Sequence, residues 1–265
     1  KGERDGYSSI IASGQEILLA HDFLVLNLEG PVTMEESVSE GSVVGSPDNY
    51  TFTFSPRSLE LFEPFSVVAH LGNNHVLNFG GGGLASTKQY LMEKGIRFFG
   101  APYVEVNKAI VLPHRGEDIA LISYNAFAPY DDIPATVEAI RYHVSLGRVV
   151  IVYAHWGEEY WTVPTPSQKA LARQFIENGA SFIVGSHPHT VIPHETINQT
   201  PVYYSLGNFI FDQYWEEDVR CAVALSVTVE GRIFPALEEV PVSMRHDGTT
   251  HIGKEAIKDC ANQDL

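Results

Sequence analysis

Four short polar segments carry the side chains from which chemistry could be built. They are Asn27-Leu28-Glu29-Gly30-Pro31, Asn73-Asn74-His75, His155-Trp156-Gly157-Glu158-Glu159-Tyr160 and Gly185-Ser186-His187-Pro188-His189. His187 and His189 are two apart with a proline between them, so the backbone is expected to be extended with both rings leaning to one side. Imidazole suits zinc, iron, manganese or nickel, and a carboxylate with an amide oxygen completes the mixed shell that first-row metals prefer. His187, His189, His155, Asn74 and Glu29 would together hold one or two divalent transition ions. Two ions about 3.5 to 4 Å apart polarise a phosphoryl or acyl oxygen and activate water for hydrolysis. His75, whose ordinary pKa lies near neutrality, would then protonate the leaving oxygen.

Each residue also has a structural reading. A lone histidine after a strand is commonly a hydrogen-bonded packing residue. Glu29 ahead of Gly30-Pro31 would cap a turn, and Asn73 and Asn74 would suit left-handed turn positions. The metal reading gains weight because all four segments follow apolar runs of strand type. In α/β sheets ligands bind in the crevice beyond the carboxyl ends of the strands.

Those runs are Phe23 to Leu26, Ser66 to Leu71, Asp118 to Tyr124, Val149 to Ala154 and Ser181 to Val184, with further strands at Val202 to Tyr204, Ala222 to Val229 and Ile233 to Val240. They alternate with segments of helical period, the pattern of an α/β layered domain. The clearest helix starts at Thr165-Pro166-Ser167-Gln168, an N-cap, a first-turn proline and a capping-box glutamine, and stops at Gly179. Leu84 to Lys94 and Ala135 to Leu146 are two more, each followed by a glycine. Gly80 to Gly83 lack the Walker lysine and the dinucleotide spacing, so they read as a flexible lead into a helix and not a phosphate cradle. The acidic stretch from Met34 to Tyr50 reads as a surface loop. Among Trp156, Tyr160 and Trp161, two are expected to pack in the core. His194, like the remaining histidines, reads as a surface or packing residue, though it lies near enough to His189 to line the same cleft.

The chain has 265 residues, 17 basic against 33 acidic, for a net charge of −16. No two lysines or arginines are adjacent, which excludes a phosphate-gripping nucleic-acid surface. No window offers the 18 or so apolar residues that a membrane span needs. Cys221 and Cys260 are too few for a structural zinc site. Two free thiols, or one disulfide in an oxidising compartment, both remain open.

Together with Tyr204-Ser205-Leu206-Gly207-Asn208-Phe209, the four segments resemble the CapA family of poly-γ-glutamate capsule proteins, over about Phe23 to Val229. That family is similar to calcineurin-like metallophosphoesterases. The resemblance implies an α-β-β-α sandwich with mixed sheets, a single domain over 1–240 and a C-terminal extension over 241–265. Carried over residue by residue, Glu29 looks like the carboxylate near both metals, and Asn74 and His155 look like ligands of one. His187 and His189 look like one ligand for each, and His75 like the acid. Asn27, Trp156, Glu159, Tyr160 and Asn208 are expected to line the substrate cleft. The cofactor implied is one or two ions of manganese, iron or zinc. The implied substrate is an anionic polymer or phosphoester, and the implied partners are other capsule-synthesis proteins at the membrane. The implied place is the outer face of a bacterial cell, with an anchoring segment ahead of Lys1. Two positions depart from the family pattern. No Gly-Asp strand precedes Phe23, and Asn78 stands where an aspartate is usual after Asn-Asn-His.

Overall fold

Short β-branched and aliphatic runs make the strands, and their alternation sorts side chains into two faces of each sheet. The computed structural model describes residues 2, 6–38, 50–102, 108–114, 116–231 and 233–260. Residues 39–49 of the acidic stretch, and Asp5 near the start, lie outside the described residues.

After a short helix α1 (Gln15–Leu19), strands β1 (Leu24–Asn27), β2 (Val67–His70) and β3 (Arg97–Phe99) form a parallel sheet in chain order, with α2 (Gly80–Glu93) between the last two. A six-stranded mixed sheet follows. It contains β4 (Ala109–His114), β5 (Glu117–Asn125), β6 (Val149–His155), β7 (Phe182–Ser186), β9 (Glu195–Ile197) and β10 (Thr200–Tyr203), in the order β4-β5-β6-β7-β10-β9. Helices α3 (Ile133–Ser145) and α4 (Pro166–Glu177) cross between its parallel central strands. A two-stranded ribbon pairs β8 (Val191–Ile192) with β11 (Ser205–Leu206). After α5 (Glu217–Arg220), β12 (Cys221–Glu230), β13 (Ile233–Met244) and β14 (Thr250–Ile252) make an antiparallel sheet, and α6 (Lys254–Asp259) ends the described chain.

The layering follows from period-two burial. On one face of the large sheet, Ala120, Ile122, Val150, Val152 and Ile183 pack with Ile140 of α3 and with Ala172 and Phe175 of α4. On its other face, Leu121, Val149, Ile151 and Phe182 pack against Val68 and Phe99 of the parallel sheet and Leu225 and Val227 of β12. Leu84 and Leu91 of α2 cover the far side of the parallel sheet. The result is the α-β-β-α sandwich that the resemblance implies, with a mixed six-stranded sheet on one side and the parallel and antiparallel three-stranded sheets on the other.

The capping box at α4 forms as expected. The Thr165 hydroxyl accepts from Gln168 N–H and the Gln168 carboxamide accepts from Thr165 N–H. Gly179 then takes a left-handed φ of 107° that a side chain would resist. Two expectations are corrected and one open pair of readings is decided. Helix α2 starts at Gly80, so the four glycines form its first turn, because packing by Leu84 and Leu91 outweighs their poor helix propensity. Cys221 and Cys260 are bonded to each other across a separation of 39 residues, which resolves the two open readings as a disulfide. His187 and His189 are not extended: their φ values are 102° and 63°.

Beyond residue 240, β13 continues to Met244 and pairs with β14, and the disulfide ties the end of α6 to the start of β12. No helix among the described residues is long and apolar enough to cross a membrane.

Candidate metal centre

The carboxyl ends of β1, β2, β6 and β7 meet at one edge, and backbone groups there fix which way each amide points. Asn73, just after β2, donates through its Nδ2 to Leu28 O at 2.8 Å and to Asn27 Oδ1 at 3.1 Å. Its Oδ1 accepts from the N–H groups of His75 and Val76. A carbonyl only accepts and an N–H only donates, so Asn73 has one orientation and Asn27 must use its own Nδ2 on Glu29 Oε2, at 2.7 Å. Glu29 Oε1 is left buried without a hydrogen-bond partner. Burial pushes the Glu29 carboxyl up to about 8, against the pull of the Asn27 amide and with a push from Glu159.

Around that oxygen stand the imidazoles. His155 Nε2 and His189 Nε2 are each 3.7 Å from Glu29 Oε1, and His155 Nε2 lies 2.8 Å from Asn74 Oδ1. One ligand-capable atom from each of Glu29, His155 and His187 lies within 4.8 Å of the others. His187 Nδ1 is a second buried atom without a partner. His155 is held from behind by Ser186 Oγ at 2.9 Å, its register partner on β7. Burial keeps the imidazoles neutral: it lowers His155 well below its ordinary value, His187 to about 3 and His189 to about 4. Mutual repulsion among the rings adds to each shift.

His75 is close enough for its charge to lower all three of these histidines. Its Nδ1 lies 3.3 Å from Asn78 Oδ1, and Asn78 Nδ2 donates to the carbonyls of Tyr50 and Phe52. By the same logic His75 Nδ1 carries the proton. Burial lowers its pKa, opposed by Asn78 and the Tyr50 carbonyl.

The structure therefore brings Glu29, Asn74, His75, His155, His187 and His189 together. The expected cleft-lining residues divide. Tyr160 is 44% exposed, stacks on His189 with ring centroids 6.0 Å apart, and sits beside half-buried Glu159. Trp156, by contrast, is 1% exposed and gives its indole N–H to Tyr204 O, so it belongs to the core. Tyr160 and Trp161 are both exposed, so one aromatic of the three packs where two were expected. Asn27 is occupied with Glu29 and Asn73, and Asn208 with His189, Gln213 and Val219. Both therefore orient other residues of the site. His194 turns away, paired at 3.0 Å with Glu239 and stacked on Tyr203.

The order of these motifs, now seen to converge, matches a known family. The family described as bacterial capsule synthesis protein PGA_cap matches residues 2–213. The chain belongs to that family. It is similar to the PGA biosynthesis protein CapA of Bacillus subtilis (strain 168), at 26% identity over 97% of this chain and 70% of that protein. The capsule biosynthesis protein CapA of Bacillus anthracis is 27% identical over 73% of this chain, which spans about half (51%) of that protein's length. In fold the chain is similar to a hypothetical protein from Thermus thermophilus, with a TM-score of 0.54 and 14% identity over 88% of this chain and 95% of that one.

Several residues at this family member's site escaped the sequence reading. Ser186 and Asn73 had the signal of lying inside the motifs, but nothing in the sequence says which side chain faces which. Phe127, whose ring centroid is 4.2 Å from that of His187, Phe211 at 5.3 Å from His189, and Phe52 at 4.7 Å from His75 come from loops with no motif. These rings make the site apolar around its polar centre.

Proposed function

We propose that this PGA_cap protein acts in poly-γ-glutamate capsule synthesis through a metal-dependent hydrolase site of phosphoesterase type. The observation that carries this reading is the buried, partnerless Glu29 Oε1 facing the Nε2 atoms of His155 and His189 at 3.7 Å. That spacing is too long for a hydrogen bond and suits two donors sharing a third atom. A carboxylate, an amide oxygen and neutral imidazoles form a donor set for manganese, iron or zinc. Glu29, Asn74, His155, His187 and His189 would hold one or two such ions.

When bound, the ion supplies Lewis acidity toward a phosphoryl or acyl oxygen. The chain's own groups supply the rest. With its proton held at Nδ1 by Asn78, neutral His75 offers the Nε2 lone pair, which would take up a proton at the site and pass it to the leaving oxygen. Phe127, Phe211 and Tyr160 exclude water and strengthen the electrostatics of the site. Glu159 and Tyr160 stand at the rim, where substrate is engaged. An anionic substrate approaching a chain of charge −16 needs the cation to reverse the local field. The relatives' names support the capsule role, and the Cys221–Cys260 disulfide supports an oxidising, cell-envelope location.

Metal analysis of purified protein tests the reading, with phosphodiester turnover as its functional arm. The wild type is expected to carry a transition metal that the His187→Ala/His189→Ala variant loses. Equal, negligible metal in both would end the proposal. A second reading, an assembly component without turnover, is favoured by Asn78, which gives His75 an amide partner where a carboxylate would raise its basicity. Metal binding without turnover of phosphodiester or γ-glutamyl polymer would select it.

A further inference from the structure

The chain after β11 carries a set of hydrogen bonds that the hydrolase reading does not use. In the β8–β11 ribbon Leu206 faces Val191, and continuing that antiparallel register sets Asn208 opposite His189. Asn208 is 7% exposed and fully engaged. Its Nδ2 donates to Val219 O at 3.0 Å and to Gln213 Oε1 at 3.1 Å, and its Oδ1 lies 2.8 Å from His189 Nδ1. Gln213, also 7% exposed, donates through Nε2 to the Tyr160 hydroxyl at 3.3 Å.

The polarity of the whole relay is set at one end. The Val219 carbonyl can only accept, so the Asn208 NH2 must face it and its oxygen must face His189. His189 Nδ1 then carries the ring proton, and Nε2 keeps its lone pair toward Glu29 Oε1. An orienting partner on the second ring nitrogen of a ligand histidine fixes both tautomer and ring plane. Here that partner is an amide, and it also reaches the rim. Through Gln213 it holds Tyr160, the exposed ring stacked on His189.

We propose that Asn208 and Gln213 are positioning residues for the metal centre: Asn208 holds His189 as the Nδ1–H tautomer with Nε2 free for the cation, and Gln213 ties that orientation to Tyr160 at the rim. The proposal rests on the metal reading above for its purpose, but the tautomer is a property of the metal-free chain. The Val219 carbonyl in α5 therefore sets an imidazole lone pair from two hydrogen bonds away, through Asn208.

The test begins on metal-free wild-type protein labelled with 15N in histidine, where long-range 15N–1H spectra distinguish the two neutral tautomers. His189 is expected to show protonated Nδ1 and unprotonated Nε2. A protonated Nε2 overturns the proposal whatever the variants do. Calorimetric titration with Mn2+ then compares Asn208→Leu, which removes the acceptor, with Asn208→Asp, which keeps one. Asn208→Leu is expected to mix the tautomers and weaken Mn2+ binding about 10–100-fold, with Asn208→Asp recovering much of the loss. Equal affinity in wild type and Asn208→Leu overturns the positioning role. A wild type with the Nδ1–H tautomer but no affinity for Mn2+ or Zn2+ counts against the metal reading and leaves the orientation of His189 by Asn208 established.

Discussion

Glu29 Oε1 and His189 Nε2 stand 3.7 Å apart, and each is turned toward the other by a side-chain amide, Asn27 behind the carboxylate and held by Asn73, Asn208 behind the imidazole and held by the Val219 carbonyl. Two groups aimed by independent supports and still short of contact are arranged for something between them. The arrangement costs stability in the metal-free chain, because a carboxylate oxygen is buried unpaired. With its carboxyl raised to about 8, Glu29 must take up a proton on folding at neutral pH or be buried charged at alkaline pH, and Gln does neither, so the metal-free Glu29→Gln variant is expected to be more stable at neutral to alkaline pH by about 1–3 kcal/mol. Wild type in Mn2+ at a hundred times its Kd gains about 2.7 kcal/mol, and Glu29→Gln is expected to gain far less. Thermal unfolding with EDTA and with Mn2+ reads both effects. A variant that is destabilised without metal yet keeps the full metal gain would contradict the arrangement.

The disulfide closes a loop of 39 residues from the start of β12 to the end of α6. Chain entropy lost from the unfolded state by such a cross-link is worth about 4 kcal/mol, within a usual range of 2–4. Cys221→Ala/Cys260→Ala, or the reduced protein, is expected to unfold at lower urea by an amount of that order. Cys221 directly follows α5, whose Val219 carbonyl orients Asn208. Loss of the cross-link is therefore expected to weaken metal binding as well as stability, and urea melts beside metal titrations of oxidised and reduced protein check the pair. Unchanged affinity in the reduced, folded protein would disconnect the two.

Much of the fold is legible because it rests on local signals. Runs such as Val149 to Ala154 are long enough in apolar residues to be buried on both faces, and Thr165-Pro166-Ser167-Gln168 carries its own stop-and-start chemistry. The metal-side residues are legible for a related reason: they sit at the ends of parallel neighbours, β1 with β2 in one sheet and β6 with β7 in the other, and parallel neighbours end together. What the sequence does not disclose is direction. Trp156, between His155 and Gly157, points into the core because β6 side chains alternate; Asn27 points its donor at Glu29 because the Asn73 amide claims its Oδ1, and Asn208 points its oxygen at His189 because the Val219 carbonyl claims its donor. The left-handed φ at His187 and His189 is likewise tertiary. The Pro188 carbonyl accepts from Tyr160 N–H, so the turn is held by a segment nearly thirty residues earlier.

That turn depends on the strand before it. A Cβ on Gly185 would collide with the Tyr204 carbonyl and the Trp156 indole nitrogen, the pair joined by the Trp156–Tyr204 hydrogen bond. Neither is the loose end of a flexible side chain. Gly185→Ala is expected to destabilise the protein by about 1–3 kcal/mol through overpacking, and to displace His187 two residues on. Urea unfolding gives the first effect and Mn2+ affinity the second. A variant as stable and as tightly binding as wild type would mean that β7 shifts freely, against the packing around it.

His70 offers a test of the core beside the metal centre, close enough for its charge to act on His155. It is 1% exposed at the end of β2, bonded through Nε2 to Ser123 Oγ on β5 at 2.8 Å, so it joins the parallel sheet to the large one. Burial, helped by the charge of Lys108, lowers its pKa to about 3, against about 6.5 when unfolded. Above pH 6.5 the ring is neutral in both states and stability is full. As pH falls below 6.5 the unfolded chain takes up a proton that the folded chain refuses, so stability falls until about pH 3. The slope is about 1.4 kcal/mol per pH unit, so about 2 kcal/mol is lost from His70 alone by pH 5. His70→Gln keeps a polar partner for Ser123 without a titrating ring. Its urea stability, measured on metal-free protein, is expected to fall about 2 kcal/mol less than that of wild type between pH 7 and 5. Parallel pH profiles for the two proteins would show that His70 takes up its proton in the folded chain after all, and that the seam between the sheets admits charge.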